Sequence, residues 1–136
     1  MKEQIEKLRE ENGGFTLAEL LIVVAIILVL VAIAIPVFTS SLHSSHVAAD
    51  QANCRSLYAD LQADYLGQAD KSDYDYETHL LDGANDITFT DGETAHLEGE
   101  CTVGFTPGKG YTVTYTCASG HSDDAHTWGV QPADGE

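Results

Sequence analysis

The stretch Gly14-Phe15-Thr16-Leu17-Ala18-Glu19, followed without a break by the apolar run LLIVVAIILVLVAIAI over residues 20–35 and then Pro36, decides the fold of this chain. A single acid stands at the mouth of a segment that is otherwise as oily as a membrane span. A carboxylate in hydrocarbon costs about 2.5–3.5 kcal/mol near the bilayer centre and less toward an interface, so Glu19 is expected to have a use, and pairing with another subunit is the foremost one. The 24 residues of segment 15–38, at about 1.5 Å of helical rise each, reach about 36 Å, enough for a hydrocarbon core of about 30 Å. They are mostly Leu, Ile, Val and Ala with no glycine. In lipid a helix is the only way one segment can satisfy its own backbone, so the segment is expected to be helical.

Orientation follows from the cations. Lys2, Lys7 and Arg9 precede the span and no Lys or Arg occurs over residues 37–54, so the amino end is expected in the cytoplasm and the bulk of the chain outside.

These features resemble the type IV pilin family, together with the pseudopilins of type II secretion and DNA-uptake machines. The matching residues are Gly14 before a cleavage point, Phe15 as the first mature residue, Glu19 four positions later and Pro36 twenty-one positions after Phe15. The resemblance implies that a prepilin peptidase cuts between Gly14 and Phe15 and methylates the new amine, so that residues 1–14 are a leader outside the fold. Four acids, Glu3, Glu6, Glu10 and Glu11, offset the three leader cations, which departs from the strongly basic leaders usual in the family. The resemblance also implies an assembly role for Glu19: when apolar helices bundle in a filament core, its carboxylate neutralises the Phe15 amine of a neighbour. Stranding one partner of such a dry pair costs about 3–5 kcal/mol. Pro36 removes a backbone donor and crowds the carbonyl of Ala32. It reads either as the family's point of helix stretching on assembly or as a kink at the outer membrane boundary.

Beyond the span, residues 39–66 continue as an amphipathic outer half of the helix. Val47, Cys54, Tyr58, Leu61 and Tyr65 recur at helical steps, with Asp50, Gln51, Arg55, Asp60, Gln62 and Asp64 between them. Gly67 ends the pattern, and residues 67–85 read as an acidic connecting loop with a short helical turn near Tyr76 to Leu81. Asp73, Asp75 and Glu77 alternate there, but a calcium loop of EF-hand form needs glycine where Thr78 stands.

Residues 86–117 read as an antiparallel sheet. Ile87 and Phe89 share a face with Ala95 and Leu97 if Asp91-Gly92-Glu93 is a three-residue loop; a two-residue Asp-Gly turn would instead set Ile87 opposite His96. Cys101, Val103 and Phe105 alternate, as do Tyr111, Val113, Tyr115 and Cys117 after the turn Pro107-Gly108-Lys109-Gly110. A loop centred on Lys109 sets Cys101 opposite Cys117, within the spacing a disulfide allows, and this is the favoured bridge outside the cytoplasm. Cys54 lies on the helix stripe and could instead bridge to Cys101 or Cys117.

Residues 118–136 read as a polar tail pinned to the sheet by Trp128 and Val130. Its His121, Asp123, Asp124 and His126 match no closed tetrahedral metal site by spacing, so no metal or other cofactor is implied. No nucleophile stands beside a base, and no catalytic constellation points to an enzyme. The whole chain of 136 residues has a formal net charge of −16. Removing residues 1–14 takes away four acids and three bases, leaving 18 and three, near −15. Such a surface repels nucleic acid and keeps an exposed polymer soluble. The expectation is therefore an α+β, pilin-like fold: one long amino-terminal helix packed on an antiparallel sheet of about four strands. Before assembly the chain would be a single-pass membrane protein, and afterwards an extracellular filament of its own copies. Minor pilins, the prepilin peptidase and a membrane assembly platform would be its partners. Two alternatives stand beside it: a pseudopilin of a secretion or uptake machine, and a membrane-anchored binding domain that never polymerises.

Overall fold

The computed structural model of the chain describes residues 2–4, 6, 14–120 and 124–129. It divides into two units, Met1–Leu42 and His43–Glu136, each taken by itself below. One helix, α1 (Leu17–Gly67, 51 residues), contributes to both.

In the first unit the helical residues 17–42 carry the apolar run. Every Leu, Ile, Val and Phe of residues 15–42 is exposed. An 18-residue window reaches a mean hydropathy of 3.5 with none of it buried, which makes this the chain's candidate membrane span. The helix passes through Pro36 without interruption. One turn later the Thr39 hydroxyl donates to the carbonyl of Ile35 at 2.9 Å, a local bond that competes with the helical ladder beside the proline's missing donor.

In the second unit the helical residues 43–67 lie against a four-stranded antiparallel sheet in the order β1-β2-β3-β4, with strands β1 (Leu81–Thr88), β2 (Thr94–Thr106), β3 (Gly110–Thr116) and β4 (His126–Trp128). This is the α+β, pilin-like arrangement expected from sequence. The helix buries Val47, Asp50, Cys54, Leu57, Leu61 and Tyr65, at steps of three and four. They meet Ile87, Leu97, Cys101, Val103, Tyr111, Val113 and Tyr115 from alternating strand positions. Full burial of such apolar side chains stabilises by about 1.5–3 kcal/mol each. Leu57 takes the place on the stripe expected of Tyr58, which is half-buried.

Two boundaries differ from the sequence reading, and one expected turn is present. Strand β1 begins at Leu81, inside the expected loop, although Asp82-Gly83-Ala84-Asn85-Asp86 is poor strand sequence. Side chains hold it: Asn85 Nδ2 donates to the Gly99 carbonyl at 2.8 Å, and the Gly83 N–H donates to Thr102 Oγ1 at 3.2 Å. The helical turn expected near Tyr76 is a single 3-10 turn, Glu77–His79. The fourth strand, β4, lies within the expected tail, where Trp128 pairs with Val113 and so pins that segment; Val130 lies outside the described residues.

Both hairpin registers also differ. In the first, Thr88 pairs with Thr94 and Ile87 with Ala95, leaving residues 89–93 as the loop, closed by hydrogen bonds between Phe89 and both Glu93 and Gly92. The apolar face stays intact because the shift is even. In the second, Thr106 pairs with Gly110 and Cys101 with Tyr115, so Cys101 does not stand opposite Cys117. Turn chemistry is the cause. Pro107 and Gly108 occupy the two centres of a turn closed by Lys109 N–H to the Thr106 carbonyl, and Gly108 takes a φ of 81° that favours glycine. The loop is thus centred on Gly108 rather than Lys109, and one residue at the turn is two in the pairing.

Across β1 and β2, His96 Nδ1 and Asp86 Oδ1 meet at 2.7 Å as register partners. The hydrogen bond to Asp86, then its charge, raises the His96 pKa above the usual histidine value. Stability from this pair is full below the unfolded value of about 6.5, provided Asp86 is ionised, and is lost as pH rises through the raised folded value. The melting temperature of His96→Gln should therefore fall below that of the parent near pH 5.5 and match it near about pH 9. An equal gap at both pH values would show that the pair does not titrate in this way.

Candidate functional site

Gly14, Phe15 and Thr16 lead into α1 as non-helical chain. Among the described residues, a Cβ added at Gly14 would meet nothing within 4 Å, and Phe15 is 86% exposed. Thr16 is the N-cap of α1 and Glu19 its third helical residue. The Thr16 N–H and hydroxyl both donate to Glu19 Oε2, at 2.8 and 3.0 Å, and the Glu19 N–H donates back to Thr16 Oγ1 at 3.3 Å. This is a reciprocal capping box, which satisfies helix-end donors within the chain itself. Its signature, Thr-x-x-Glu ahead of an apolar run, stands in the sequence, and Thr16 is a member of the site that the pattern Gly14, Phe15, Glu19, Pro36 leaves out. Glu19 therefore has a local partner in the single chain. Among the described residues its second oxygen, Oε1, accepts no hydrogen bond.

The other exceptional carboxylate is Asp50, only 4% exposed on the inner face of α1. Its Oδ2 accepts from the Gly99 N–H at 2.9 Å and from the Tyr115 hydroxyl at 3.1 Å, fastening the helix to β2 and β3 at once. Burial first, then the charge of Asp50, pushes the Tyr115 phenol up. Gly99 is obligatory there, since a Cβ would come within 2.5 Å of the Tyr115 ring and 2.6 Å of the Thr116 carbonyl. Sequence reading placed Asp50 on the polar side. Its step of three from Val47 and four to Cys54 was the available signal.

All three cysteines are buried free thiols. Cys54 and Cys101 interact in the core, where that contact and burial push the Cys54 thiol far up. The Cys117 sulfur instead lies 3.8 Å from His43 Nε2 and 3.7 Å from Ser119 Oγ. Cys101 and Cys117, expected from sequence to stand opposite each other, thus lie in two different environments, a consequence of the shifted hairpin register. Asp73, Asp75 and Glu77 are exposed, and Asp75 Oδ1 accepts from the Glu77 N–H at 3.2 Å as a local turn contact. His121 and Asp123 lie outside the described residues. Tyr74, in the same loop, donates to Asp64 at 2.7 Å and packs with Tyr65, Phe105 and Tyr111, which seats the loop on the domain.

An exposed apolar helix with a capped acid at its mouth, leading into a helix-on-sheet unit, is a pilin-like arrangement. Comparison with known proteins agrees. Residues 11–35 match the family described as the prokaryotic N-terminal methylation motif. Over 86 residues, 63% of this chain, the sequence is 37% identical to the type IV major pilin protein PilA of Myxococcus xanthus. The match spans 35% of that relative's length. No solved structure matches the chain. The chain is thus similar to a type IV major pilin over part of its length and carries a match to the N-terminal methylation motif.

Replacing Asp50 with Ala strands two buried donors, and each stranded group costs about 1–3 kcal/mol. Thermal unfolding of the detergent-solubilised chain should show a clear loss for Asp50→Ala and a smaller one for Asp50→Asn, whose amide oxygen still accepts. A parental melting temperature in Asp50→Ala would contradict this anchoring role.

Proposed function

We propose that the chain is a prepilin, cleaved after Gly14 and methylated on the Phe15 amine, whose mature form polymerises through the apolar residues of α1 into a type IV pilus-like filament. Its role is structural rather than catalytic. The single observation that carries this reading is the uncovered apolar helix with Glu19 at its mouth. Isolated in water the helix would expose a continuous oily rod, so it needs lipid first and protein cover afterwards. The methylation motif and the likeness to a major pilin support the same route.

In this reading the precursor sits in the membrane with its amino end cytoplasmic, where a prepilin peptidase reaches the exposed Gly14–Phe15 bond. Thr16 holds Glu19 Oε2 while the subunit is in lipid, and Oε1 is the oxygen offered to the Phe15 amine of a neighbour. Dry charge-assisted hydrogen bonds of this kind are strong and directional, so the pair sets the register between subunits. Pro36 marks the place where the helix can stretch as subunits pack. A membrane assembly platform and minor pilins complete the machinery.

Two measurements test the proposal. Intact-mass analysis of the protein from its own cells should give a chain beginning at Phe15 with one added methyl group; an uncut Met1 terminus would favour a membrane-anchored domain instead. Glu19→Gln keeps a capping box, because glutamine serves at that position, yet removes the charge. It should insert in the membrane like the parent and yield few or no filaments by electron microscopy. Parental filament yield in Glu19→Gln would refute the ionic role.

A further inference from the structure

We infer that His43, Cys117 and Asp124 form a binding site for a zinc ion. The three residues come from three segments of the second unit: α1, the chain just beyond β3, and the residues leading into β4. Their donor atoms all lie within 4.8 Å of one another. Cys117 Sγ stands 3.8 Å from His43 Nε2, and that same nitrogen stands 3.4 Å from Asp124 Oδ2. Tetrahedral zinc, with bonds of about 2.3 Å to sulfur and about 2.0–2.2 Å to nitrogen and oxygen, requires a sulfur–nitrogen edge of about 3.6 Å and a nitrogen–oxygen edge of about 3.4 Å. Two of the three edges already fit to within a few tenths of an ångström, and the third, from sulfur to the carboxylate, lies within 4.8 Å and closes by rotation of the Asp124 side chain.

The donor set selects the metal. A thiolate with an imidazole and one carboxylate suits zinc, whereas calcium and magnesium ask for shells of oxygen. The cysteine inventory points the same way. Cys54 and Cys101 face each other in the core, so Cys117 is the odd thiol, buried beside a histidine rather than beside another cysteine. Asp124 is held in place without metal, since its carbonyl accepts from Gln51 Nε2 on α1 at 2.9 Å. Three protein ligands leave a fourth position for water, and a cleft of about 110 Å³ bordered by His43, His46, Glu98, Cys117 and Ser119 gives it access. On binding, the Cys117 thiol gives its proton to solvent and coordinates as thiolate. The ion would tie the lead-in of β4, a strand of only three residues, to α1 and to the end of β3. The strongly acidic chain raises the local concentration of any cation. The inference stands or falls independently of filament formation.

The test uses the full chain in detergent, reduced and stripped with a chelator, with cobalt(II) as spectroscopic probe and zinc as competitor. One equivalent of cobalt should give a thiolate-to-metal charge-transfer band in the near ultraviolet, displaced by one equivalent of zinc. Cys117→Ser should lose the band. His43→Gln and Asp124→Asn, at half-exposed positions and verified as folded by circular dichroism, should bind at least about tenfold more weakly. Absence of a thiolate band in the folded parent would overturn the site, as would a parental band in Cys117→Ser or parental affinity in both His43→Gln and Asp124→Asn. The last two results would mark adventitious binding elsewhere on the chain.

Discussion

A helix whose first half has no protein to cover it constrains everything else in this molecule. In the second unit, α1 meets the sheet through Leu57, Leu61 and Tyr65 and is fastened by Asp50. Residues 20–35 offer no such polar side chain, only exposed Leu, Ile, Val and Ala. Lipid can cover that surface, and so can other copies of it. In the proposed reading the chain exchanges one cover for the other, because chain-to-lipid and chain-to-chain contact are nearly equal in hydrophobic terms and polar details tip the balance.

Glu19 is such a detail, and the capping box changes how it is understood. A lone intramembrane carboxylate would be costly on the way to any later use. Bonded through Oε2 to the N–H and hydroxyl of Thr16, it earns its place at the helix end from the start. In the proposed reading, assembly then asks only for the remaining oxygen. The acid thus serves the subunit in lipid and, in the proposed reading, the polymer afterwards.

Much of this was legible in the sequence where one strong physical signal acted alone. The apolar run fixed the helix to within two residues at its start, and strict alternation exposed β2 and β3. Places where signals competed were harder. Strand β1 begins in residues with turn chemistry and exists through the side-chain bonds of Gly83 and Asn85. Pro107-Gly108 moved the second hairpin and with it the partner of Cys101. Asp50 is polar by identity yet lies on the buried stripe, where its cost is offset by two donors that are distant in sequence. The meeting of His43, Cys117 and Asp124 was invisible to spacing, because 74 residues separate the first two and only the folded hairpin brings them together.

The most direct test of the central claim is a high-resolution cryo-electron microscopy map of filaments sheared from the native cells. The account predicts residues 17–42 bundled in the filament core with the Glu19 carboxylate within hydrogen-bond distance of a neighbouring subunit's Phe15 nitrogen. A map in which these helices lie on the outside, or in which every Glu19 contacts only its own Thr16 while the neighbouring amine pairs elsewhere, would contradict it.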